Sequence, residues 1–160
     1  MISEIQICPL IRLYQLCAER ERTSMAAVIS TSSGTPDAQR LCGIPYIYTL
    51  YRDIDFDGPG AFSDSNAARF ADFVRNLSPE ICTLYCVCDA AMSRSPAVAA
   101  AISRYFGIVT MESIWRNPHY KPNMWVFEKL SSALGVPVSD GELDQYIFES
   151  NYAFQNAIWR

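Results

Sequence analysis

The sequence predicts an α/β fold with a central, mainly parallel sheet of four to five strands flanked by helices. Apolar runs of strand length alternate with amphipathic segments along the chain. Two of those runs, Met25 to Ile29 and Ile81 to Cys88, are apolar without alternation, as strands covered on both faces are. Polar loops containing Gly and Pro separate the elements. A length of 160 residues fits one domain spanning 1–160, in which 136–160 reads as a C-terminal helical extension.

Each element has a local reason. Ile5 to Cys8 alternates and reads as a short strand. From Leu10 to Arg22, Leu10, Leu13, Leu16 and Cys17 fall at helical spacing. Met25 to Ile29 is a buried strand, and Thr31 to Asp37, rich in Ser, Thr, Gly and Pro, is a loop. Pro45 to Tyr51 is aromatic and β-branched, which suits a strand. A polar loop over 53–63 follows. Ser63 or Asp64 can cap the next helix, whose apolar stripe is Ala67, Phe70, Ala71, Phe73, Val74 and Leu77. After the central strand Ile81 to Cys88, an Ala-rich helix runs from Ser95 to Tyr105 and stops at Gly107. Pro122-Asn123 opens another helix through Leu134, and Asp140 to Trp159 reads as a last amphipathic one that folds back on the domain. Trp115, Trp125 and Trp159 are expected to pack rather than to stack on substrate.

Composition narrows the function. Half the residues are hydrophobic and 19% are charged, a globular balance. Lys and Arg total 13 against 17 Asp and Glu, a net charge of −4. That leaves no surplus of positive charge for nucleic acid or an anionic membrane, so neither is expected as a partner. The six cysteines are scattered in a chain long enough to bury a core without staples, and read as reduced thiols of a cytoplasmic protein. His119 is the sole histidine, so the usual zinc spacings are missing and no metal is expected.

The segment Cys88-Asp89-Ala90-Ala91-Met92-Ser93-Arg94-Ser95-Pro96 carries the chemistry. A cysteine ends a buried strand, and a helix with proline in its first turn follows. The chain between can curl so that the backbone N–H groups of 89–94 point inward, and the helix N-terminus adds partial positive charge. An anion fits there, and Arg94 supplies a planar fork for two phosphate oxygens. The positive field favours the thiolate form of Cys88 beneath it, and the Ser95 hydroxyl can donate to that sulfur. Asp89, Ala90, Ala91, Met92, Ser93 and Arg94 are therefore the candidate phosphate-binding residues. Cys88 is the candidate nucleophile. The Asp89 side chain is expected to face solvent at the loop's edge. His119 is expected to be a surface residue.

These residues resemble the Cys-x5-Arg-Ser/Thr loop of the protein tyrosine phosphatase superfamily, within it the small dual-specificity-like phosphatases. Cys88 to Ala101 is similar to that family's phosphate loop and helix, Asn117 to Leu130 to the Pro-Asn segment after it, and Tyr48 to Asp57 with Ala67 to Val74 to the strand, acid loop and helix before it. The resemblance spans roughly residues 45–134. It implies hydrolysis of a phosphate monoester, on a protein or a small molecule, through a phosphocysteine and without metal or other cofactor. It also implies an aspartic general acid upstream. Asp53, Asp55 and Asp57 lie 35, 33 and 31 residues before Cys88. Asp53, at the strand end, matches best, and Asp57 is second. Two positions depart from the family. Val87 stands where a histidine is usual, and Ala91 where glycine is usual. Both imply a less well-tuned loop and weak activity. Two other readings stay open. One is a phosphate-binding module without turnover. The other is a protein whose cysteines act through oxidation, with Cys86 and Cys42 as candidate partners of Cys88.

Overall fold

The computed structural model describes residues 1–19, 21, 23–108 and 110–158. Arg20 and Arg22, at the end of the first predicted helix, and Trp159, expected to pack, lie outside the described residues. The elements run β1 (Glu4–Pro9), α1 (Leu10–Glu19), β2 (Met25–Thr31), β3 (Tyr46–Leu50), α2 (Asp64–Arg75), β4 (Thr83–Cys88), α3 (Arg94–Phe106), α4 (Thr110–Trp115), α5 (Met124–Ala133) and α6 (Asp140–Ile158). The sheet has four strands in the order β1-β4-β2-β3. Every pairing is parallel. The expected class is therefore the observed one, with four strands.

The sheet's sidedness follows from the alternation of side chains along each strand. On one face Ala26, Val28, Leu84 and Cys86 pack beneath α2, α3 and α5. On the other Ala27, Ile29, Tyr85 and Val87 pack against Leu13, Leu16 and Cys17 of α1. All seven residues of β2 are buried, which is why its sequence shows no alternation. Helix α3 is buried from Arg94 to Ser103, and its run of alanines lets it sit close between the sheet and α5. Ser63 caps α2 by accepting from the Asn66 N–H, and Gly107 ends α3 at a φ of 67°, as expected for a left-handed cap.

The differences are local. α4 was not expected, because six residues are too few to show a period. Helix α6 docks on the domain through Leu143 and Tyr146, which pack against the core, and through Glu142. Tyr146 stacks on buried Trp115 at 4.8 Å, and Glu142 pairs with Arg104 at 3.0 Å. Tyr152 and Phe148 are exposed. Trp125 packs beside α2, its Nε1–H donating to the Phe62 carbonyl at 2.8 Å. Among the described residues no helix is long and apolar enough to cross a membrane.

Candidate active site

β4 ends at Cys88 and α3 begins at Arg94, so the loop between them sits at the C-terminal edge of the sheet beside the start of a helix. Ligands of parallel α/β sheets gather at that edge. The fold of the loop is set from outside. The Met92 carbonyl accepts from the Lys121 N–H at 2.8 Å, and the Ser93 carbonyl accepts from the Asn123 N–H at 3.1 Å. With its carbonyls drawn outward, the loop can turn N–H groups toward the cysteine. The Ala91 N–H donates to Cys88 Sγ at 3.2 Å. Ser95 Oγ lies 3.0 Å from the same sulfur. Ser93, not Ser95, occupies the N-cap position of α3, and Ser95 sits fully buried inside the helix.

Ala91 adopts a φ of 56°, a left-handed conformation. That costs a residue with a Cβ roughly 1–2 kcal/mol. Glycine would relieve the strain but adds about 0.4–1 kcal/mol of unfolded-chain entropy. Ala91→Gly is therefore expected to raise stability by a net ~0.5–1 kcal/mol, a shift of about 1–4 °C in Tm. Thermal unfolding followed by circular dichroism checks it, and a fall in Tm would count against the strain.

Arg94 is buried, and two of its nitrogens are engaged. Nη1 donates to the Tyr51 carbonyl at 3.3 Å, and Nη2 pairs with Asp89 Oδ2 at 2.8 Å. Its Nε has no hydrogen-bond partner, although it is out of water. A buried guanidinium N–H without a partner is costly, and an oxyanion would satisfy it. Cys88, Ala90, Met92, Ser93, Arg94, Lys121 and Asp53 line one cavity of about 320 Å³.

Asp53 is the one member of the acid loop that borders this cavity. Its Oδ1 accepts from Ser93 Oγ and from Asn123 Nδ2, each at 2.9 Å. Asp55 lines an adjoining cavity toward α6, and Asp57 lines neither. Asp89 is exposed, as expected, but its carboxylate is also held. Oδ1 accepts from Thr31 Oγ1 at 2.9 Å and Ser33 Oγ at 2.7 Å, and Oδ2 from the Ser32 N–H at 3.2 Å as well as from Arg94. Partial burial pushes its carboxyl up, but the bonds from Ser33, Ser32, Thr31 and Arg94 outweigh that and hold it down to about 2.

The remaining candidates are placed as follows. Val87 is buried in the apolar layer against α1 and offers the loop no hydrogen bond. Burial pushes the Cys8 thiol up to about 12 and the Cys86 thiol higher still. Both stay protonated near neutrality. Cys42 is exposed in the segment between β2 and β3, its thiol on the Arg40 carbonyl. His119 is exposed and lines a groove against α6, away from Cys88. Sequence reasoning missed Lys121, Tyr51 and the Thr31–Ser33 segment. Asn123 was read only as a helix start, which it is, but its side chain also holds Asp53.

No protein-family model matches the chain, and no curated protein matches it in sequence. Solved structures do. The structure of PTPMT1 in complex with PI(5)P is similar with a TM-score of 0.54, over 81% of this chain and 87% of that one, at 13% identity. Human DUSP28 gives 0.43 over 96% and 94% at 16% identity. Tk-PTP in the active form gives 0.45 over 92% and 90% at 14%. The first of these shows the fold, and the chain shares the fold of PTPMT1.

Proposed function

We propose that the protein hydrolyses phosphate monoesters through a phosphocysteine at Cys88. The observation that carries this is one cavity shared by a sulfur that accepts from the Ala91 N–H and lies 3.0 Å from the Ser95 hydroxyl, a buried arginine with an unsatisfied Nε–H, and a carboxylate. Arg94 and the loop N–H groups hold the phosphoryl oxygens, neutralising charge as it spreads over them. The Cys88 thiolate attacks phosphorus, the P–O bond to the leaving group breaks, and the Asp53 carboxyl gives that oxygen its proton. Both hydrogen bonds to Asp53 fall on Oδ1, which leaves Oδ2 the oxygen available to the leaving group. Water then attacks the phosphocysteine, Asp53 takes the water's proton, and Ser95 donates to the departing sulfur. No metal or other cofactor takes part in these steps. One neighbour in fold is solved with a phosphoinositide, which supports a phosphate-bearing ligand here.

The test is to quench a reaction with p-nitrophenyl phosphate in acid and look for phosphate on Cys88 by mass spectrometry. Asp53→Asn should slow the first step for this activated ester only modestly and for an alkyl phosphate by about 10²–10⁴-fold. Equal losses on both esters would remove Asp53 from the acid role. Binding of inorganic phosphate with neither adduct nor turnover would select the alternative, a phosphate-recognition module. Ala91 in its left-handed conformation and the apolar Val87 favour that second reading.

A further inference from the structure

We infer that the Asp89 carboxylate is a positioning residue for Arg94, holding the guanidinium across the phosphate cradle from the residue next to the nucleophile. This rests on the phosphatase reading above and concerns the same site.

A guanidinium is planar, so fixing two of its nitrogens fixes its plane. Asp89 holds Nη2 and the Tyr51 carbonyl holds Nη1, from two different segments of the chain. Nε is left over, buried and without a partner, on a side chain that lines the cavity. Asp89 cannot itself swing freely. Thr31, the Ser32 N–H and Ser33 clamp both of its oxygens. That segment continues β2, whose Ser30 sits in register with Cys88. The anchor of the arginine and the strand end that carries the nucleophile are therefore parts of one sheet edge.

The arrangement answers two needs. An arginine side chain has many rotamers, and ordering it at the moment of reaction would cost entropy. An untethered guanidinium would also collapse onto the neighbouring thiolate and mask the nucleophile. The same carboxylate opposes an incoming phosphate dianion, so its benefit should appear in turnover and not in affinity.

The experiment uses the full chain, p-nitrophenyl phosphate for turnover and inorganic phosphate for binding. Asp89→Ala is expected to lower kcat about 10²-fold, the loss typical of a misplaced catalytic group. Phosphate should bind as tightly as to wild type, or tighter. Asp89→Glu should recover part of the rate. In an Arg94→Lys background Asp89→Ala should add no further loss, because the partner it positions is gone. Multiplying losses, or phosphate affinity that falls in step with kcat, would overturn the inference, since a residue that only braces the loop behaves that way. Asp89→Asn keeps the shape and removes the charge. It serves if Asp89→Ala does not fold, and wild-type turnover in it would also refute the role. If the wild type turns nothing over, the hydrolase reading fails by itself. The Arg94 Nε–H resonance then decides: it should be sharp in wild type and broadened in Asp89→Asn, and an unchanged resonance would overturn the positioning role.

Discussion

Cys88→Ser is expected to lower turnover of an aryl phosphate by roughly 10⁴-fold or more, while inorganic phosphate still binds. The two effects separate because the sulfur and the oxyanion donors are different groups. In the proposed mechanism binding rests on Arg94, the helix start and the loop N–H groups, none of which the substitution touches. Attack needs a nucleophile that is ionised near neutral pH. A serine hydroxyl in the same place is not, and the groups bonded to position 88, the Ala91 N–H and the Ser95 hydroxyl, are no base to activate it. The loop should keep its form, since a hydroxyl can still accept from the Ala91 N–H and exchange a bond with Ser95. Steady-state kinetics with phosphate binding by calorimetry checks both halves. Turnover that survives the substitution and depends on added divalent metal would sink the phosphocysteine mechanism.

Arg94→Lys is expected to cost about 10³-fold in kcat, within the range found for arginines that stabilise a transferring phosphoryl group. The charge is kept, so the loss isolates geometry. An ammonium is a point donor on a flexible stem and cannot reach Asp89, the Tyr51 carbonyl and two phosphoryl oxygens together. The side chain is also buried, so lysine would sit in a space shaped for a flat group. Single-turnover rates on the same ester give the comparison. A loss under about tenfold would mean that charge alone suffices, and the clamp seen around Arg94 would then have no part in the rate.

The reach of the sequence is clearest at Cys88. The nucleophile, the arginine and the serine are local to one another, so their spacing in the chain already predicts one loop at one helix start. The positive φ at Ala91 was signalled only by the resemblance, through the glycine usual at that position. β2 and β4 were legible because a strand buried on both faces must be apolar throughout, and both helix caps were legible from single residues, Ser63 and Gly107. By contrast, α4 is too short to leave a period. The docking of α6 turns on one aromatic, Tyr146, whose partner Trp115 is 31 positions away in the chain.

Asp89 marks the boundary. From the sequence it looked like a charge for solvent, because of its partners only Arg94 is near it in the chain. Its partners at Thr31 to Ser33 are 56–58 residues away and are brought to it by the pairing of β2 with β4. The same holds for the Tyr51 carbonyl on Arg94, and for the Lys121 and Asn123 amides that draw the loop's carbonyls outward. Sequence already put Asp53 ahead of Asp57, but that Asp53 borders the cavity and bonds to Ser93 depends on the chain after β3 being set beside α3. Local propensity and burial pattern determined the α/β class, the elements and the Cys-x5-Arg loop. Strand order β1-β4-β2-β3 decided which distant polar groups meet at that loop, and strand order depends on long-range pairing that no short stretch of residues encodes.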